Sequence, residues 1–271
     1  MKENIMNDDI LKKIKQLPPL PESAMQIEAV YQNPNSGFND MVKILEKDPL
    51  LTADILKAAN SPLYGFSREI NAISQAVGLF GMGTVRGFAL ASIVKKSFEL
   101  NLSPYGITNE MFSNLSKKQH GLMTAWCLRK ENKLLGVLSP AAFLVEIGKV
   151  LISQQILSDG MEEKFKDALN NLGDVEAAER ELFGTDTPEI SANIFKHWRF
   201  EDGLVDVIAN CQNPDKAEEE DKRAAQILHV VRVAVPITGQ ITDESIAAAK
   251  ELINKYGLDM PSFENALENA V

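Results

Sequence analysis

Histidine is scarce in this chain of 271 residues: only His120, His197 and His229 occur. Three scattered imidazoles are too few for a histidine-rich metal centre without heavy help from carboxylates. Cysteine is scarcer still. Cys127 and Cys211 form no CxxC pair and allow one bridge at most, which excludes a zinc finger or a disulfide scaffold and suits a reducing interior. Positive charge is in deficit, with 28 Lys+Arg against 38 Asp+Glu and a formal net charge of −10. Broad nucleic-acid or anionic-membrane binding needs basic surface, so neither DNA nor a membrane is an expected partner. Long apolar runs are lacking too. Met1 to Asp9 is polar, with no apolar leader segment. The longest charge-free run, Ile70 to Val85, contains Asn71, Ser74 and Gln75, is closed by Arg86, and is too short and polar for a bilayer. The expectation is a soluble cytoplasmic protein of one or two domains, with a core that needs neither disulfide nor structural metal. There is no HExxH, P-loop, GxSxG elbow or EF-hand loop, and no cofactor is implied.

What is present is helical periodicity. Pro21 opens an apolar-periodic run, and Asp48-Pro49, Ser139-Pro140 and Thr187-Pro188 each set a capping oxygen beside a proline at a first helical position. Stops stand at Asn60-Ser61-Pro62, Gly160 and Gly184. About a dozen helices joined by short loops follow. No β-alternation appears; even the β-branched Val230–Val235 suits a buried helix. The fold class is therefore all-α. The segment Asn101–Thr108 is the nearest thing to a boundary, and the charged stretch Asp215–Arg223 reads as a solvated helix start rather than a docking site.

Several local patterns resemble binding motifs and fit better as structure. Gly78 to Gly87 lacks the preceding strand and the spacing of a dinucleotide loop, and is expected to be a helix–helix turn at Gly81–Gly83, with Gly83 and Gly87 permitting close approach. The helix after it is too apolar to read DNA. Leu17-Pro18-Pro19-Leu20-Pro21 is either a polyproline ligand or, more simply, a rigid lead-in anchored by its leucines. Glu146, in the apolar run Ala141–Ile152, needs a partner. Lys149, one turn away, is the local candidate, and His120 is the tertiary one. His197 suits a helix C-terminus and His229 a hydrogen-bonded core position.

Four segments carry a family resemblance: Leu17-Pro18-Pro19-Leu20-Pro21, Asp48-Pro49-Leu50-Leu51-Thr52-Ala53, Ala59-Asn60-Ser61-Pro62-Leu63-Tyr64-Gly65, and Ile73-Ser74-Gln75-Ala76-Val77-Gly78-Leu79-Phe80-Gly81. In order and spacing they are similar to the HDOD domain, a bacterial signalling domain related to HD phosphohydrolases. The resemblance implies a compact multi-helix HD-like bundle over 14–234, with an N-terminal helical part at 14–100, an HD-like part at 108–234, and a C-terminal helical extension at 235–271. It also implies positions for the HD metal ligands. His120 stands where the first would be, Val145-Glu146 where the His-Asp doublet belongs, Thr187 and Asn210-Cys211 where further His residues can occur, and Arg232 at the distal Asp. That set is degenerate, since Val, Thr and Arg cannot replace His, His and Asp around an ion that activates water. At most His120, Glu146 and His229 form a vestigial cluster.

The resulting expectation is a non-enzymatic regulatory module that acts by binding another signalling protein. Two alternatives stay open. One is a nucleotide- or RNA-binding domain that uses the former HD cavity with Arg232 as an anion contact, so that a small-molecule ligand is possible. The other is a residual metal-dependent phosphohydrolase using His120 and Glu146. The interaction candidates lie in one stretch: Asp48, Asn60, Ser61, Tyr64, Phe66 and Arg68. Tyr64 and Phe66 with Arg68 have the composition of a hot spot, and equally that of a loop anchored to a core. On the first reading, Tyr64→Ala leaves the melting temperature within about 3 °C and abolishes partner capture.

Overall fold

The structure, a computed structural model, describes residues 2–66, 68–128 and 130–270. The described residues form fifteen α-helices and no strand. In chain order these are α1 (Lys2–Lys15), α2 (Glu22–Gln32), α3 (Phe38–Leu45), α4 (Pro49–Ala59), α5 (Ile73–Lys96), α6 (Asn109–Cys127), α7 (Leu135–Leu144), α8 (Gly148–Ser158), α9 (Glu162–Leu172), α10 (Val175–Phe183), α11 (Thr187–His197), α12 (Asp202–Asn210), α13 (Lys222–Ala234), α14 (Asp243–Tyr256) and α15 (Met260–Ala270). A single hydrophobic core runs through them, from Ile10 on α1 to Leu267 on α15. Helix α1 packs on α8, α10 and α11, so the N-terminal and HD-like parts share one interior. Two stretches, Ile73–Lys96 and Asn132–Ser158, are long and apolar enough to cross a membrane by length and composition, but 67% and 89% of their apolar windows are buried in this core.

Helices α5 and α7 make the tightest crossing. Gly81 breaks α5 with φ 78° and ψ 163°, a conformation open essentially to glycine, and so turns the chain between two helical segments. Beyond the break, Gly83 meets α7 at Gly136, where a Cβ would stand 2.7 Å from the Gly136 Cα, and Gly87 meets Ser139. The side chain of Arg86 passes between them fully buried. It is held by Glu28 on α2 through two bonds of 2.6 and 2.8 Å and by Glu201 at 2.7 Å, and it lies 4.2 Å above the Tyr31 ring.

Two of the three expected helix starts with a capping oxygen beside proline need adjustment. Asp48 caps α4 as its sequence indicates, accepting from the Leu50 and Leu51 N–H groups at 3.0 Å. Ser139-Pro140 does not start a helix, because Pro140 lies inside α7. The carbonyl four residues back, which proline cannot bond, is that of Gly136, and it accepts from Arg86 Nη1 at 3.3 Å. At α11 the cap is Asp186, whose carboxylate accepts from Glu189 N at 2.9 Å, and Thr187 is the first helical residue. Glu146 sits in no helix either: residues 145–147 form the turn between α7 and α8. The proline lead-in is an anchor, with Leu20 buried and the Pro18 carbonyl accepting from Trp198 Nε1 at 2.9 Å.

Candidate functional site: a charge network in the HD cavity

The turn between α7 and α8 is clamped from outside by α11. Ser191 Oγ donates to the Val145 carbonyl at 2.7 Å and accepts from Gly148 N at 2.8 Å. Val145 is thereby fixed in the core at 0% exposure, and Glu146 is turned into a cavity of ≈ 340 Å³ between α8, α10 and α13. Two cations meet it there. Arg232 Nε, from α13, reaches Oε1 at 2.8 Å, and Lys149 Nζ, from α8, reaches Oε2 at 2.7 Å. Glu176 on α10 closes the ring, accepting from Arg232 Nη2 and lying 3.6 Å from Lys149 Nζ. Lys149 also contacts Thr187 Oγ1 at 3.2 Å. Behind Thr187, Glu179 accepts from its backbone N–H at 2.6 Å, from its hydroxyl at 2.7 Å and from the Tyr105 hydroxyl at 2.7 Å.

Burial by itself would push both Glu146 and Glu176 up, but Arg232 and Lys149 override it and hold the two carboxyls below their ordinary value. Burial would push Lys149 down, and the carboxylates Glu146, Glu179 and Glu176 reverse it. Glu179 goes the other way. Burial, against the pull of Lys149, raises it to about 7.

The HD relationship implies a metal, and these residues do not fit one. Both oxygens of Glu146 already accept from cations, and an ion bound there would stand directly against an ammonium and a guanidinium. Among the described residues, no group of three or more His, Cys, Asp or Glu is arranged to hold one.

Of the expected ligand positions, Glu146, Thr187 and Arg232 come together around Lys149, whereas His120 and Val145 do not join them. The residue of α6 that reaches Glu146 is Gln119, with Nε2 3.2 Å from Oε1 and 3.1 Å from the Val235 carbonyl. The tertiary pairing of His120 with Glu146 is therefore corrected, because consecutive residues on a helix point about 100° apart. His120 faces the other way, fully buried, and stacks on Phe143 at 3.9 Å. Its Nε2 is 2.8 Å from Ser139 Oγ, which reaches the Thr84 carbonyl, and its Nδ1 is 2.6 Å from the Tyr64 hydroxyl. These partners assign the proton to Nε2, with Tyr64 donating to Nδ1. Burial drops this imidazole to about 3. His229 is only partly buried and lines the charged cavity, bonded to the Tyr256 hydroxyl at 2.9 Å, and burial with Arg232 and Lys255 nearby lowers it to about 4. Cys211 lies beside the network, 3.8 Å from Arg232 Nη1.

Tyr64 is a loop anchor. Its ring packs edge-on to Phe80 and Phe88 at 5.0 and 5.7 Å, and burial raises its phenol. Asp48 is spent on its cap. The Asn60 side chain ties the loop shut, with Nδ2 to the Ile70 carbonyl at 2.9 Å and Oδ1 from Ile70 N at 2.8 Å. Ser61 borders a shallow cleft with α6. Phe66 is 45% exposed against Phe80, and Arg68 is exposed. The sequence did not single out Glu176 and Glu179, which stand three apart on an amphipathic helix and resemble a solvated face.

Residues 17–214 match the HDOD domain family. A provisionally named phosphohydrolase from Shewanella amazonensis SB2B is 25% identical, with 96% of this chain and 93% of that one covered and a TM-score of 0.73. A virulence factor from Campylobacter jejuni subsp. jejuni is 27% identical over 98% of this chain and 94% of its own, with a TM-score of 0.57. An HDOD domain protein from Geobacter sulfurreducens, 17% identical over 99% of this chain and 88% of its own, shares the fold with a TM-score of 0.66. A curated relative, an uncharacterized protein of Treponema pallidum (strain Nichols), is 32% identical over 73 residues, which span 27% of this chain and 14% of that protein. With the match covering most of its length and the HD-like helical fold around it, this chain belongs to the HDOD domain family.

Proposed function

We propose that this chain is a non-enzymatic regulatory module of bacterial signal transduction, working in the reducing cytoplasm and acting by binding another protein. One observation carries the reading: in the cavity where HD relatives would hold an ion, Lys149 and Arg232 occupy both oxygens of Glu146. A carboxylate whose two oxygens are each held by an internal cation is a poor metal ligand, and hydrolysis of a phosphate ester in an HD site needs several good ones. The two cysteines, buried and free, support a reducing compartment. Of the six interaction candidates, the exposed Phe66 and Arg68 are the ones we offer to a partner.

The test is metal analysis and hydrolysis of an activated phosphodiester by the purified chain, with and without added manganese. Substoichiometric metal and turnover at the buffer rate are expected, unchanged in Glu146→Gln. Stoichiometric manganese or iron that disappears in Glu146→Gln would overturn the reading and extend the Shewanella relative's name to this chain.

A further inference from the structure

In a chain of net charge −10, four lysines converge on a second cavity of ≈ 270 Å³ that shares no lining residue with the first. They come from three helices: Lys57 from α4, Lys95 and Lys96 from α5, and Lys117 from α6. The one acid in the lining, Asp54, is engaged, its Oδ2 accepting from Ser92 Oγ and Lys96 Nζ at 2.6 Å each. Lys95 and Lys117 form no ion pair among the described residues. Lys95 is the more constrained. Its Nζ lies 5.8 Å from the centre of the Phe112 ring, and burial together with the charge on Lys117 lowers it to about 8.

Placing a half-buried ammonium without a counter-charge beside a second one is costly, and its position in the last turn of α5 offsets only part of that cost through the helix dipole. A leucine or methionine there would fill the same volume without that cost. The pair becomes favourable once a multivalent anion enters between the ammonium groups. The inner wall is aromatic: Phe88 and Phe143 line the cavity, with the Ser113 hydroxyl nearby.

We propose that this cavity binds a small phosphorylated ligand with a flat apolar body, its phosphate held by Lys95 and Lys117 and its ring against Phe88 and Phe143. Lysine serves phosphate as a compact point charge, and two lysines with a hydroxyl match a dianion better than a carboxylate. The inference is independent of whether the Glu146 cavity has any chemistry.

Calorimetric titration of the full chain at neutral pH and low ionic strength tests it, with phenyl phosphate, benzoate and inorganic phosphate as probes. Phenyl phosphate is expected to bind saturably, with the other two weaker by about tenfold. Lys95→Met is expected to weaken phenyl phosphate by about tenfold and yet raise the melting temperature by ~2–4 °C, since an unpaired, half-buried charge is removed. Asp54→Asn removes the competing carboxylate and is expected to tighten binding, while Lys222→Met, at an exposed lysine paired with Asp215, leaves it unchanged. No saturable binding of phenyl phosphate at millimolar concentration, equal affinity for benzoate, or a Lys95→Met protein that is less stable or binds as tightly as wild type would each overturn the proposal.

Discussion

At the scale of single residues, His120 and Glu146 show how one buried polar group is settled by its neighbours. Neither is exposed, and each is hydrogen-bonded by specific partners. For His120 the partner that matters is Tyr64. Tyr64→Phe keeps the ring between Phe80 and Phe88 but leaves Nδ1 unpaired in the core, which is expected to cost about 1–3 kcal/mol. Tyr64→Ala adds a cavity and is expected to cost about 3–5 kcal/mol. Urea unfolding measures both, and losses below about 0.5 kcal/mol, the scatter of ordinary exposed substitutions, would return Tyr64 to the surface. Glu146 was legible as a carboxylate in apolar surroundings with Lys149 one turn away, and His120 only through the family resemblance. Arg232, distant in sequence, was legible only as a misfit in the HD pattern.

At the scale of elements, close backbone approach decides how the helices meet. Gly148 opens α8 directly against the start of α11, and a Cβ there would collide with the Thr187 carbonyl oxygen and stand 2.9 Å from Ser191 N. Since Thr187 and Ser191 also hold the Lys149 network and the Val145 turn, the strain has no slack to enter. Gly148→Ala is therefore expected to destabilise by about 2–4 kcal/mol, in contrast to the stabilisation that Gly→Ala brings at an unobstructed helical position. Denaturant unfolding checks it, and a neutral or stabilising result would show that α8 and α11 can separate freely. Asp48 and Gly81 explain why many helix starts and breaks could be read locally, since a cap or a positive φ acts within a few residues. Pro140 shows where that reading fails. Its helix continues because Arg86 takes the carbonyl that proline leaves unbonded.

At the scale of the whole molecule, the buried groups set how stability follows pH. His120 and His229 lie below their ordinary 6.5, so the unfolded chain takes up protons that the native one refuses as pH falls below about 6.5, and stability drops. Glu146 and Glu176, held low, contribute stability that is lost as pH falls through their native values. Glu179 has the opposite sign. Raised from 4.5 to about 7, it keeps in the native state a proton that the unfolded chain has released, so its contribution falls as pH rises through that window. The stability of Glu179→Gln relative to wild type is accordingly expected to increase by about 1–3 kcal/mol between pH 5 and pH 8. Urea titrations at the two pH values decide it. A constant difference would mean that Glu179 is ionised throughout.

The sequence by itself determined the helices, most of their caps and stops, and the family. These follow from periodicity, local hydrogen bonds and motif order, all of which act over short distances or are written along the chain. Only the tertiary structure decided that Gln119 rather than His120 faces Glu146, that Glu176 and Glu179 turn inward, and that Lys95 stands beside Lys117 with no acid to meet it. One helical position changes the face by about 100°, and a charge is paired or unpaired according to which distant helix packs against it. Neither is a property of the neighbouring residues.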